Sequence, residues 1–141
     1  MTDADLVLKK LAFIETCLSE LRSLARAERI SIDVKERRFV EHTLQICIQA
    51  VQDVASHIVS DERLGEPSDS AAMFGLLLHA GWLTDETARF LRSAVGFRNV
   101  LVHGYTAVDP EIVRDVLEKR LGDIERFVAE ISARLKTEPC A

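Results

Sequence analysis

The sequence predicts an all-α protein, an antiparallel bundle of about five helices, and three observations carry that reading. Apolar residues recur three and four positions apart through most of the chain, the period of a helix with one buried face. No stretch alternates apolar and polar residues as a half-buried strand does. Hydrophobic residues make up 48% of the chain but aromatics only 6%, so the core must be aliphatic, which suits helix packing. At 141 residues the chain reads as a single domain, 1–141, large enough to bury one core.

The opening stretch holds no Gly before Gly65 and no Pro before Pro67. Leu11, Ile14, Leu18, Leu21 and Ala25 form the first stripe, and Thr2 with Asp5 resembles a capping box at its start. A second stripe, Val40, Leu44, Cys47, Ile48, Val51, Ala55 and Ile58, predicts a helix from Asp33 to Ser60. At 1.5 Å per residue it would be about 40 Å long, the spine of a bundle. Leu64-Gly65-Glu66-Pro67-Ser68-Asp69-Ser70 reads as a loop. A short helix from Ala71 to Ala80 closes at Gly81. Thr84 can cap the next helix, with Asp85 and Glu86 near its positive end, and that helix should finish near Gly104. Asp109-Pro110-Glu111 pairs a cap residue with Pro at the first helical position. A final helix follows on Val113, Val116 or Leu117, Leu121, Ile124, Phe127 or Val128, Ile131 and Leu135.

The net charge of −5 argues against a protein that coats nucleic acid by bulk attraction. The charge is uneven, however: Thr87 to Tyr105 holds Arg89, Arg92 and Arg98 and no acidic residue. Cys17, Cys47 and Cys140 form no metal-ligating spacing, and Cys47 lies on an apolar stripe as a small core residue would. Reduced thiols, early charges that interrupt any signal-peptide pattern, and the lack of a run near the roughly 18 apolar residues of a membrane span point to the cytoplasm. His42, His57, His79 and His103 make no HExxH pattern, and Gly75, Gly96 and Gly104 make no phosphate loop, so neither zinc nor a P-loop nucleotide is expected. Trp82, at a helix end, reads as a packing anchor.

The segment Arg98-Asn99-Val100-Leu101-Val102-His103-Gly104-Tyr105 stands apart. It sets an arginine, a histidine and a tyrosine into an otherwise apolar helix. Metal-free cleavage of RNA needs a base for the 2′-hydroxyl, an acid for the 5′-leaving oxygen and a cation beside the crowded phosphorane. His103, of an imidazole type with a pKa near ~6.5, can act as base or acid at neutral pH. Arg98 can grip two phosphate oxygens at once. Asn99 can orient His103 or donate to phosphate, and Tyr105 can stack a base, donate its hydroxyl or accept a modification. On an unbroken helix Arg98 and His103 diverge by about 140°. Two copies of the segment across a two-fold axis, or a helix that frays at Gly104, would bring the pair together. Asp53 and His57, one turn apart on the long helix, fit either a structural pair or support for the cleft. Gln45 and Gln49 share its polar side and fit a solvated face better than a contact with RNA or a dimer mate.

Gly96 through Tyr105 resembles the signature of the HepT toxins of the HEPN superfamily: Arg, a polar residue, a spacer, His, any residue, Tyr. Asp53 to Val59, Leu64 to Pro67, Leu76 to Leu83 and the final amphipathic helix resemble the rest of that family's chain. The resemblance implies a HEPN-like homodimer and the toxin of a type VII toxin–antitoxin pair. It implies a metal-independent endoribonuclease acting on mRNA or tRNA, with Arg98 and His103 catalytic and Asn99 and Asp53 supporting. It further implies an MntA-type nucleotidyltransferase antitoxin that transfers AMP to Tyr105, with ATP and Mg²⁺ used by that partner and no cofactor in this chain. The alternative within the same superfamily is a non-catalytic helical module that binds a nucleotide or partner beside a nucleotidyltransferase.

Overall fold

The computed structural model describes residues 2–103 and 108–137, with the side chain of His103 excepted. Its helices are α1 (Ala4–Leu24), α2 (Val34–Asp61), α3 (Ala72–His79), α4 (Asp85–His103), α5 (Pro110–Lys119) and α6 (Leu121–Thr137), with a short 3₁₀ turn at Ala27–Arg29. Among the described residues there is no strand, and no helix is long and apolar enough to cross a membrane.

Local chemistry fixes the helix ends. Asp33 caps α2 by accepting from the backbone N–H groups of Lys35 and Glu36, and Asp109 caps α5 by accepting from Glu111 with Pro110 at the first position. Both agree with the sequence. At α1 the cap is Asp3, which accepts from Leu6 at 3.2 Å, and not the Thr2 expected from the pattern. Asp3 also donates its own N–H to Asp61 at 3.1 Å, tying the start of α1 to the end of α2. α3 stops at Gly81, whose φ of 85° lies in the left-handed region that a Cβ disfavours. The Trp82 N–H then reaches back to the Leu77 carbonyl at 2.9 Å, closing the turn.

The last helix differs from expectation. It is broken at Arg120, whose N–H still bonds to Val116 while its carbonyl accepts from Asp123. The apolar stripe keeps one helical period across the break, with Val113, Leu117, Leu121 and Ile124 all buried, so periodicity carries no sign of it. The change of direction lets α5 pack on α2 and the 3₁₀ turn while α6 packs on α1 and α4. That gives six helices among the described residues where about five were expected.

The core is aliphatic, as the composition requires. Val7, Leu11, Ile14, Leu18 and Leu21 of α1 meet Val40, Leu44, Val51, Val54 and Ile58 of α2. Each such side chain contributes roughly 1.5–3 kcal/mol on burial. Phe74 and Phe127 meet edge to face, 6.5 Å between centroids. Trp82 is buried, with the Arg134 guanidinium 5.0 Å from its ring centre, which makes it the anchor the sequence suggested. Cys17 and Cys47 are buried free thiols. The neighbouring Cys17 thiol, and then burial, push the Cys47 thiol far above its ordinary range.

Candidate functional site

The helix that carries the motif is held at its first turn from a distance in sequence. Glu130 of α6 accepts from the Thr84 N–H at 2.6 Å, the Thr84 hydroxyl at 3.2 Å and the buried Thr87 hydroxyl at 2.6 Å. A carboxylate at this positive helix end is doubly favourable, satisfying free N–H groups and opposing the helix dipole. Thr84 was legible as a cap, and its hydroxyl accepts from the Thr87 N–H at 3.4 Å. Glu130, 46 residues away, left no local signal.

From Thr87 onward α4 has no acidic residue, and its cations divide into two kinds. Arg89 is paired with Asp85 at 2.8 Å. It borders a groove of about 500 Å³ between α4, α5 and α6, floored by Phe90, Ala94, Phe97 and Val116. The other cations of that groove are paired too: Arg126 with Glu86 and Asp123, and Arg120 with Asp123. Arg92 and Arg98 have no carboxylate partner among the described residues.

Arg98 is the unusual member. At about 100° per residue it falls within ~20° of the buried Leu91, on the inward stripe of α4. Its Nε is shielded from solvent and has no hydrogen-bond partner among the described residues. Its Nη1 donates to Oδ1 of Asn99 at 3.3 Å. Arg126 also has a shielded Nε, but its terminal nitrogens are held by carboxylates. A permanent cation with a buried unused donor and no counter-charge is costly, by about 1–3 kcal/mol for the orphan donor alone. An anion that brings oxygen acceptors to it would recover that cost.

Asn99 is exposed and accepts from the Arg98 guanidinium. His103 is the last residue of α4; its side chain, and Gly104 and Tyr105 entirely, lie outside the described residues. Asp53 is placed on the α1 side of α2, accepting from Gln49 Nε2 at 3.0 Å and pairing with Lys10 at 3.8 Å. It lines a groove of about 440 Å³ with Leu6, Lys9, Phe13 and Ile46, to which α4 contributes no residue. No bond joins it to His57. Within the protomer its contacts tie α1 to α2, and Gln49 serves the same tie. Among the described residues no three His, Cys, Asp or Glu side chains gather in a way that could hold a metal ion.

Comparison with known proteins agrees with this geometry along nearly the whole chain. The family model described as ribonuclease HepT-like matches residues 14–131. The chain is 31% identical over 130 residues to the mRNA nuclease HepT of Shewanella oneidensis, covering 92% of this chain and 98% of that protein. It is 30% identical over 122 residues to the tRNA nuclease HepT of Aphanizomenon flos-aquae, covering 83% of each. The structure of the tri-AMPylated Shewanella oneidensis HEPN toxin in complex with MNT antitoxin superposes with a TM-score of 0.85 at 30% identity, covering 94% of this chain and 99% of that one. A HEPN-like helical bundle and a family match over most of its length together place this chain in the ribonuclease HepT-like family.

Proposed function

We propose that the chain is the toxin of a toxin–antitoxin pair, a cytoplasmic endoribonuclease that cuts mRNA or tRNA without a metal ion. The observation that carries the proposal is Arg98: a cation with a shielded Nε and, among the described residues, neither a partner for it nor a carboxylate, five residues before His103 on a helix anchored by Glu130. Its guanidinium grips the scissile phosphate, and the Asn99 side chain fixes its attitude. His103 moves the proton, as base toward the 2′-hydroxyl or acid toward the 5′-oxygen, each role worth roughly 10²–10⁴ in rate. Because the two positions diverge on one helix, a homodimer supplies Arg98 and His103 to one phosphate from opposite protomers. Attack of the 2′-oxygen on phosphorus, with loss of the 5′-oxygen, leaves a 2′,3′-cyclic phosphate.

Control follows from the same charges. The partner is a nucleotidyltransferase antitoxin that uses ATP and Mg²⁺ to attach AMP to Tyr105, two residues past His103. Added phosphate beside Arg98 would occupy the cation and repel RNA. The tri-AMPylated toxin in complex with MNT antitoxin supports this reading.

Expression without an antitoxin tests both parts. The wild-type chain should arrest growth, Arg98→Ala and His103→Ala should each relieve the arrest, and co-expressed nucleotidyltransferase should add AMP mass to the Tyr105 peptide. Arrest that persists in both variants overturns the nuclease, and adducts confined to other peptides overturn the regulation.

A further inference from the structure

We propose that Arg92 forms a second phosphate site, which holds the RNA strand a few nucleotides from the cleaved linkage; this rests on the nuclease reading above. Arg92 is exposed and makes no ion pair or hydrogen bond with a described residue. It lies against α3, whose sequence, Ala72–His79, contains no acidic residue. α4 itself has none after Glu86.

The guanidinium lies against α3 at Gly75. A Cβ built on Gly75 of α3 would fall 2.8 Å from Arg92 Nη2 and 3.8 Å from its Cζ. The missing side chain at Gly75 is therefore the notch in which the Arg92 head rests. Gly75 is not needed there for backbone freedom, since its φ is not positive. Room for the arginine is what its bare Cα provides.

Register then separates this cation from Arg98 and aligns it with the rest of the motif. Six residues apart, Arg92 and Arg98 point about 120° from one another and cannot share a phosphate. Arg92 does fall within ~20° of Asn99 and of position 103, seven and eleven residues on, along a single stripe about 16 Å long. Between them Gly96 is exposed and bare, with nothing within 4 Å of a Cβ placed there. A single strand can lie close along this stripe, with one phosphate at the cut and another on Arg92. Arginine suits that second role as a planar donor fork with a permanent charge.

The test compares two single-stranded substrates with purified protein: a ribodinucleotide that spans only the cleaved linkage and an oligoribonucleotide of about 12 residues. Arg92→Ala should raise KM for the longer RNA about 10-fold, leave its kcat unchanged and leave dinucleotide cleavage unchanged. The log–log salt dependence of binding the longer RNA should lose a slope of about 0.7, the share of one phosphate contact on a single strand. Arg92→Lys should restore part of the affinity. Equal losses on both substrates would make Arg92 structural and overturn the site, as would an unchanged KM and salt slope. A wild-type protein that cleaves neither substrate would instead overturn the nuclease reading on which the site depends.

Discussion

Replacing Arg98 with methionine separates a residue kept for function from one kept for the fold. Met retains an apolar stem of similar reach and removes the charge and the shielded Nε. Leaving a buried donor without a partner costs about 1–3 kcal/mol. The one bond its head makes among the described residues, to the exposed Asn99 at 3.3 Å, returns no more than about 1 kcal/mol. Arg98→Met should therefore be as stable as the wild type or more stable by about 1 kcal/mol, a rise in Tm of roughly 3 °C for a chain of this size. Cleavage should move the other way. Losing a positioned donor at a developing negative charge costs about 10²–10³ in rate. Urea unfolding followed by circular dichroism reads the first quantity, and single-turnover cleavage of labelled RNA reads the second. A loss of more than about 1 kcal/mol in stability, or cleavage within tenfold of wild type, would refute the reasoning.

Three further outcomes follow from the fold. Glu130→Ala removes all three bonds to the first turn of α4 and should lower unfolding stability by about 2–3 kcal/mol, with Glu130→Gln losing less; equal midpoints in urea would contradict the anchor. The Asp33 carboxyl is held below the usual carboxylate range, first by the Glu36 N–H and then by Lys35 and Arg29. Its contribution is thus present above the unfolded value near ~3.9 and lost as pH falls through the folded one. Asp33→Asn should consequently show a smaller fall in urea midpoint between pH 5 and pH 3 than the wild type, and an identical fall would count against it. Cys47, buried and with its thiol pushed up by the neighbouring Cys17 and by burial, should resist alkylation at pH 8 in the native protein and react fully once unfolded; peptide mass mapping checks this, and rapid native labelling would be the contrary result.

Much of this molecule could be read before its coordinates because helical periodicity and cap chemistry are local. Asp33, Thr84, Asp109 and Pro110 mark helix starts through atoms within three residues of themselves. What escaped depends on contacts between distant parts of the chain. The break at Arg120 leaves the apolar stripe in phase, so only packing against α2 on one side and α1 on the other reveals it. Thr2 competed with Asp3 as a cap, and Asp3 also engages Asp61 of a different helix. At the site, the sequence pointed to Arg98 through residue type and spacing. That its Nε would be shielded follows from its register with Leu91, which was there to be worked out. Asp53 was placed beside His57 by spacing alone, and Lys10 on another helix decided its partner instead. The Gly75 notch under Arg92 needed two helices in contact to be seen.

The most direct measurement is cleavage of end-labelled single-stranded RNA by the purified chain in EDTA, alongside His103→Ala. The account predicts that the wild type cuts the RNA with the chelator present, leaves 2′,3′-cyclic phosphate ends, and loses this activity by at least 100-fold in the variant, in keeping with the loss of a proton-transfer group. RNA that the wild type binds but leaves intact, or cuts equally well with alanine at position 103, would contradict it.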